Sequence, residues 1–317
     1  MKVCVIKTSS MGDVIHTLPA LTDAQRAIPN LSIDWVVEEN FAEIPRWYSA
    51  VNRVIPIALR RWRKSPFSIQ TRNEWKNYRT LLQAENYDAV IDAQGLFKSA
   101  FFATRLANGI KHGYDRKSIR EPIASFFYDK KYAISYQQHA VERIRQLFSQ
   151  ALSYPLPKGK GDYDIARHFI SVDAIKPYVL FFHATTRDEK HWPEREWRNL
   201  IEKLTALSIQ VRLPWGNEKE KTRAERLAVG LSHVVVLPRL SLHELAEQIA
   251  NAKAVVSVDT GLAHLTAALD KPNITLYGAT DPKLIGCYGK NQHYLSASSM
   301  ENIKSDQVFS MLNLLIK

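Results

Sequence analysis

Short, nearly continuous apolar runs alternate along this chain with longer amphipathic stretches, and that alternation limits the folds open to it. Brief apolar runs bounded by turn residues read as strands buried on both faces, which is the situation of a parallel sheet covered by helices. They lie at 2–6, 33–37, 52–57 and 88–92, with helical stretches near 14–28, 72–84, 95–107 and 138–151. The segment SYPLPKGKGDYD, 153–164, then concentrates Pro, Gly and Lys as a linker does. Alternation resumes with strands near 178–182, 209–213, 233–236, 253–258 and 273–276, and helices near 194–206, 218–229, 241–250 and 261–269. The pattern predicts two Rossmann-like, doubly wound α/β domains, at 1–157 and 158–317, with a last helix near 303–316 that could return to the first domain. A chain of 317 residues is long for one core, and its 45% apolar content is enough to fill two.

Several function classes drop out. Cys4 and Cys287 stand alone, without CxxC or Cys/His spacing, so neither a disulfide framework nor a structural zinc site is expected and a reducing cytosol fits. No apolar stretch has the length of a membrane span, and Met1-Lys2 leads straight into a strand. The net charge of +11 is uneven: residues 1–157 hold 22 Lys/Arg against 14 Asp/Glu, whereas 158–317 hold 21 against 18. Nine basic residues and one acid, Glu74, fall within 46–79. A field of that kind attracts nucleic acid, an anionic membrane surface or a phosphorylated substrate, and charge alone does not choose among them.

Open α/β sheets bind ligands beyond the carboxyl ends of their strands, so polar residues just after each strand carry the functional argument. After the first strand comes KTSSMGD, 7–13, in which Lys7, Ser9 and Ser10 could hold an anionic acceptor beside Asp13. Asp13 then reads either as a general base or as a plain helix N-cap. After the strand at 178–182 comes HATTRDEKHWP, where Thr185, Thr186 and Lys190 are phosphate-type ligands; the alternative is a solvated loop whose charges pair among themselves. The third place is VVSVDTGLAHLTAAL, 255–269: a buried strand runs through Asp259-Thr260-Gly261 into a helix whose first N–H groups form an anion site. There Asp259 could be only a cap and His264 only a packed histidine.

Taken together, KTSSMGDVIHTLPALTDA, VIDAQGLFKSA, HATTRDEKHWP and VSVDTGLAHLTAAL resemble the bacterial lipopolysaccharide heptosyltransferases, from residue 1 to about 291. The resemblance implies the GT-B architecture, two Rossmann-like domains facing each other across a cleft, with acceptor on the first and nucleotide sugar on the second. It implies inverting transfer of L-glycero-D-manno-heptose from ADP-heptose to a Kdo hydroxyl of Kdo-lipid A, without a metal ion or other cofactor. Asp13 matches the family's base, and Lys190, Thr185, Thr186 and the N–H groups at Thr260, Gly261 and Leu262 match its donor-phosphate ligands. Glu220 looks like the ribose ligand, while Asp259 and His264 shape the donor pocket. Lys7, Ser10, Arg60, Arg61, Arg63, Lys64 and Arg120 are the acceptor candidates. A peripheral monomer on the cytoplasmic face of the inner membrane is implied by the same likeness. Ala279, in YGATDP, departs from the proline that relatives often carry.

Two features compete with this reading. DYD at 162–164 has the spelling of a metal-binding DxD, yet it follows KGKG in the linker rather than an apolar strand. RRWRK, with Trp47, Trp62 and Trp75 nearby, interleaves cations with aromatics as nucleic-acid-binding segments do. A basic nucleic-acid-binding module leaves two phosphate loops unexplained, while GxGxxG and the P-loop pattern are both missing. A related heptosyltransferase acting one step later in the core remains the enzymatic alternative.

Overall fold

The computed structural model describes residues 1–169, 176–278 and 281–316, and the chain separates into two compact units, Met1–Asp164 and Ile165–Lys317. The division comes at the end of the Pro, Gly and Lys segment rather than at residue 157. In the first unit the elements run β1 (Lys2–Ile6), α1 (Met11–Ile15), α2 (Leu18–Ala27), β2 (Ser32–Glu38), α3 (Glu43–Arg46), β3 (Val51–Ile57), α4 (Leu59–Trp62), α5 (Ile69–Gln83), β4 (Asn86–Asp92), α6 (Phe97–Phe102), β5 (Asn108–Tyr114), β6 (Lys130–Tyr132) and α7 (Ala140–Leu152). The second unit holds β7 (Tyr178–Phe182), α8 (Glu194–Thr205), β8 (Gln210–Leu213), α9 (Glu218–Ala228), β9 (Val234–Val236), α10 (Leu242–Ala250), β10 (Ala254–Val258), α11 (Gly261–Ala268), β11 (Asn273–Tyr277), α12 (Pro282–Ile285), β12 (Gln292–Ser296) and α13 (Ser305–Ile316).

Among the described residues each unit has one six-stranded sheet, ordered β3-β2-β1-β4-β5-β6 in the first and β12-β11-β10-β7-β8-β9 in the second. Every pairing is parallel. Counted from its own first strand, the second sheet repeats the order of the first. In both, the strand order reverses beside the first strand, between β1 and β4 and between β7 and β10, and such a reversal opens a crevice at the strands' carboxyl ends. The central strands supply the core: Val3, Cys4, Val5 and Ile6 of β1 and all of β7 and β10 are buried. Burying each Val, Leu or Ile contributes roughly 1.5–3 kcal/mol, so these runs pin both sheets.

The helical stretch expected at 14–28 is two helices. Thr17 is the N-cap of α2 and Pro19 lies in its first turn, the only helical position where a missing N–H costs nothing, so the chain restarts there. Strands β5, β6 and β12 are additions to the sequence-based reading. β5 reads NGIKHGY, which looks like a turn. Yet Gly109, at φ +137°, lies where an added Cβ would come within 2.4 Å of the Tyr87 carbonyl oxygen, and at Gly113 a Cβ would meet the Tyr128 ring at 2.3 Å. The glycines allow close approach rather than a turn. The sequence allows the last helix, α13, to return to the first unit; in the structure its buried residues Val308 and Leu312 belong to the core of the second. Trp192 Nε1 donates to the Ile303 carbonyl at 2.9 Å, and Lys203 pairs with Asp306 at 2.7 Å, fixing its start against α8.

Candidate active site

In the first unit the crevice between β1 and β4 is furnished by the loop 7–10 and by the residues after β4. Lys7 continues β1 and is only 5% exposed; its Nζ donates to the Ala93 carbonyl at 2.9 Å and lies 3.6 Å from Asp13 Oδ1. Burial pushes its amine below the usual lysine range, and the charges of Asp13 and Asp92 oppose that shift. Asp13 is not the N-cap. Ser10 holds that position, and Asp13, three residues on, reaches back so that Oδ2 accepts from the Ser10 N–H at 2.9 Å and from its hydroxyl at 3.0 Å. The Asp13 side chain remains 44% exposed, so a carboxylate of fixed direction faces solvent beside a buried cation.

Asp92, the last residue of β4, fixes this arrangement from below and is fully buried. It accepts from the Gln94 and Gly95 N–H groups, the Ser99 and Thr104 hydroxyls and the Tyr128 hydroxyl, at 2.8–3.2 Å. Burial raises its carboxyl above the usual range, and those donors oppose the rise. Gln94 passes the order on: its Oε1 accepts from the N–H groups of Thr8 and Ser9 at 2.9 and 3.0 Å. Lys98 Nζ then donates to Ser9 Oγ at 3.2 Å, adding a second cation to the loop. Asp92, Gln94 and Lys98 all lie within VIDAQGLFKSA, and the rule about strand ends that selected Asp13 applies to them equally.

The basic segment divides into structural and outward-facing cations. Arg61 makes a two-point pair with Glu39 at 2.9 and 3.0 Å and a second pair with Glu74 at 2.8 Å, so it helps to hold α4 in place. Arg53 is bound to the buried Asp34 at 2.6 Å. Arg60 donates its N–H to Glu38 at 2.9 Å and carries its guanidinium over Phe41. Arg60, Arg63, Lys64 and Arg120 have exposed side chains. The aromatic residues that suggested nucleic-acid stacking are core: Trp47 and Trp62 are buried, and Trp75 packs edge-on against Trp62.

The second unit repeats the arrangement with other chemistry. Lys190 ends a short turn after β7, and its Nζ donates to Asp259 Oδ2 just after β10. Thr185 Oγ1 donates to the Asp259 carbonyl at 3.1 Å, which brings both loops to the β7/β10 crevice, and Thr186 is exposed. Thr260, not Asp259, is the N-cap of α11; its extended backbone turns the first N–H groups of the helix, at Gly261 and Leu262, toward the same crevice end. His264 is buried on that helix. Glu220 sits in the first turn of α9, where its carboxylate accepts from the Gly216 N–H at 2.8 Å and from Asn217 Nδ2 at 2.7 Å. Ala279 lies outside the described residues.

A support not anticipated from sequence stands behind Thr185. Arg223 donates to His191 Nδ1 at 2.9 Å and to the Trp192 carbonyl at 2.7 Å. A guanidinium can only donate, so Nδ1 is the accepting nitrogen and the ring hydrogen resides on Nε2. His191 Nε2 therefore donates to the Thr185 carbonyl, 2.9 Å away. The remaining sequence candidate, DYD, is taken up by the linker: Asp162 pairs with Arg26 at 2.6 Å and accepts from the Asp164 N–H at 3.0 Å.

Comparison with known proteins decides the family. Residues 75–313 match the model of glycosyltransferase family 9 (heptosyltransferase). The chain is 58% identical over 318 residues to lipopolysaccharide heptosyltransferase 1 of Escherichia coli K12, covering 99% of each. The chain belongs to glycosyltransferase family 9. Its structure is similar to that of the E. coli heptosyltransferase WaaC with ADP, at 57% identity and a TM-score of 0.97 over 99% of this chain and 100% of that one. It is also similar to the same enzyme with ADP-2-deoxy-2-fluoro heptose, at 56% identity and a TM-score of 0.94 over 99% of both chains. This family 9 glycosyltransferase thus carries a positioned carboxylate at the switch point of its first unit and a cationic, helix-capped loop at the switch point of its second.

Proposed function

We propose that the chain transfers L-glycero-D-manno-heptose from ADP-heptose to a Kdo hydroxyl of Kdo-lipid A, with inversion at the anomeric carbon. The observation that carries the reading is the pairing of chemistries at equivalent places: Asp13 with Lys7 after β1, Lys190 with the α11 terminus after β7 and β10. In the proposed step Asp13 takes the proton of the acceptor hydroxyl, and the freed oxygen forms its bond to the anomeric carbon. The bond to the diphosphate breaks on the opposite face, and its electron pair leaves with ADP. Lys190 exchanges part of its contact with Asp259 for the diphosphate, and Thr185, Thr186 and the N–H groups at Thr260, Gly261 and Leu262 receive the growing negative charge. Glu220 would take the ribose, and Asp259 with His264 would shape the sugar pocket. Metal independence belongs to the reading, because these groups supply the charge a metal would; turnover is expected to survive excess EDTA.

Lys7, Ser10, Arg60, Arg63, Lys64 and Arg120 are proposed to receive the phosphates and carboxylates of the acceptor, with Arg61 fixing the segment that presents them. The acceptor is an amphiphile, so the enzyme is proposed to act as a peripheral monomer at the cytoplasmic face of the inner membrane. Among the described residues no helix is long and apolar enough to cross a membrane. The test is product formation from ADP-heptose with Kdo-lipid A and, in parallel, with an acceptor that already bears the first heptose. Asp13→Asn retains an oxygen for the Ser10 N–H but accepts no proton, so turnover should fall about 100-fold or more with little change in melting temperature. Near-native turnover would reduce Asp13 to a helix-capping residue, and preference for the heptosylated acceptor would move the enzyme one step along the core.

A further inference from the structure

The segment between α4 and α5 exposes two large apolar side chains at one place: Phe67 is 82% exposed and Ile69 is 77% exposed. This is not a loose excursion. Glu74 accepts from Trp62 Nε1 at 2.6 Å, from Gln70 Nε2 at 2.8 Å and from Arg61, and Ser68 caps α5 by accepting from the Thr71 N–H at 3.1 Å. The base is tied on both sides and the apolar pair is held outward. α5 itself has two faces: Tyr78 and Leu82 enter the core with Trp75 packed beside them, while Ile69, Arg72 and Lys76, at helical spacings of three and four, form an exposed one. Arg63 and Lys64 precede Phe67 and are exposed as well.

We infer that Phe67 and Ile69, ringed by Arg63, Lys64, Arg72 and Lys76, form a membrane-docking face that seats the protein on an anionic lipid surface. A bilayer of acidic lipids offers an apolar layer directly behind a layer of phosphate, which is the order of chemistry this face presents. Nucleic acid supplies the charge but nothing for Ile69, and the tryptophans that could stack on bases are packed inward. The inference deepens the proposed function, resting on an acceptor held in a membrane, and assigns the apolar docking to Phe67 and Ile69, outside the reacting site, with Arg63 and Lys64 shared between the lipid surface and the acceptor.

The experiment uses the full chain and the Phe67→Ser/Ile69→Ser variant. Co-sedimentation is measured with phosphatidylglycerol-rich vesicles and with pure phosphatidylcholine vesicles, and transfer is measured on a Kdo acceptor stripped of its acyl chains. The expected result is binding of the full chain to the anionic vesicles that weakens with salt, and a partition about tenfold or more lower for the variant. Melting temperature and turnover on the stripped acceptor should be unchanged. Equal partition of variant and parent would overturn the inference, as would loss of turnover on the stripped acceptor at unchanged melting temperature, since the pair would then belong to the acceptor site. A parent that transfers to no acceptor, yet whose vesicle binding still depends on Phe67 and Ile69, would defeat the transferase reading and support the docking face.

Discussion

Arg223 meets no phosphate-type ligand itself, yet through His191 it sets the direction of the Thr185 carbonyl, and Thr185 in turn binds the Asp259 carbonyl. Loss of the guanidinium frees the imidazole to reverse its hydrogen, which exchanges the 2.9 Å bond to the Thr185 carbonyl for a longer one from the Thr185 N–H at 3.2 Å and so resets the loop. Arg223→Gln should therefore lower kcat/KM for ADP-heptose roughly tenfold to a hundredfold, as small misplacements in a binding loop do, while the KM for acceptor stays constant. His191→Phe should produce a similar loss, and the double variant should be little worse than either, because one linkage has been cut twice. Additive losses, or equal damage to both substrates with a large drop in melting temperature, would assign Arg223 to general folding. The positions of Asp13, Lys190 and Asp259 were legible in the sequence because each comes after an apolar strand. Arg223 was not: its partner lies 32 residues away, and no spacing announces which histidine nitrogen it will bind.

α2 and α7 meet over one buried ion pair. Arg145 Nε donates to Asp23 at 2.6 Å, its Nη1 to Glu142 and to the Gly159 carbonyl at 2.8 Å, and its Nη2 to the Pro157 carbonyl at 3.2 Å. One side chain joins two helices and the middle of the linker. Arg145→Met leaves the Asp23 carboxylate buried without its cation and should cost about 3 kcal/mol or more in chemical denaturation. Arg26→Ala, which breaks the exposed pair with Asp162, should cost no more than about 1 kcal/mol. Comparable losses would mean that burial does not govern the two pairs. At this scale the sequence was readable where strands were continuous apolar runs, as in β1, β7 and β10. It was opaque where pairing rests on a neighbour: β5 owes its place to glycines that admit Tyr87 and Tyr128, and half-buried β12 has no apolar run to betray it.

For the molecule as a whole, the uneven charge pointed to the first unit as the one that meets an anion, but the structure narrows the source, since Arg53 and Arg61 are consumed in ion pairs. In the second unit a buried histidine gives stability a pH dependence. His183, fully buried after β7, has a pKa lowered from 6.5 to about 4, first by burial and then by the charge of Arg223; the Pro214 carbonyl partly offsets both. Above pH 6.5 the ring is neutral whether the chain is folded or not. Between 6.5 and about 4 the unfolded chain takes up a proton that the native state refuses, so stability falls as pH falls, by about 3 kcal/mol across that window. His183→Phe should flatten this decline in denaturation midpoints measured at pH 7 and pH 5; a parallel decline would clear His183 of the effect. The repeated strand order has a further consequence, for how such enzymes diversify. Under the proposed division of roles, two copies of one sheet plan differ through the loops that leave β1 and β4 in the first and β7 and β10 in the second. A new donor or a new acceptor thus asks for rewriting a few short connections, while both frameworks can be inherited intact.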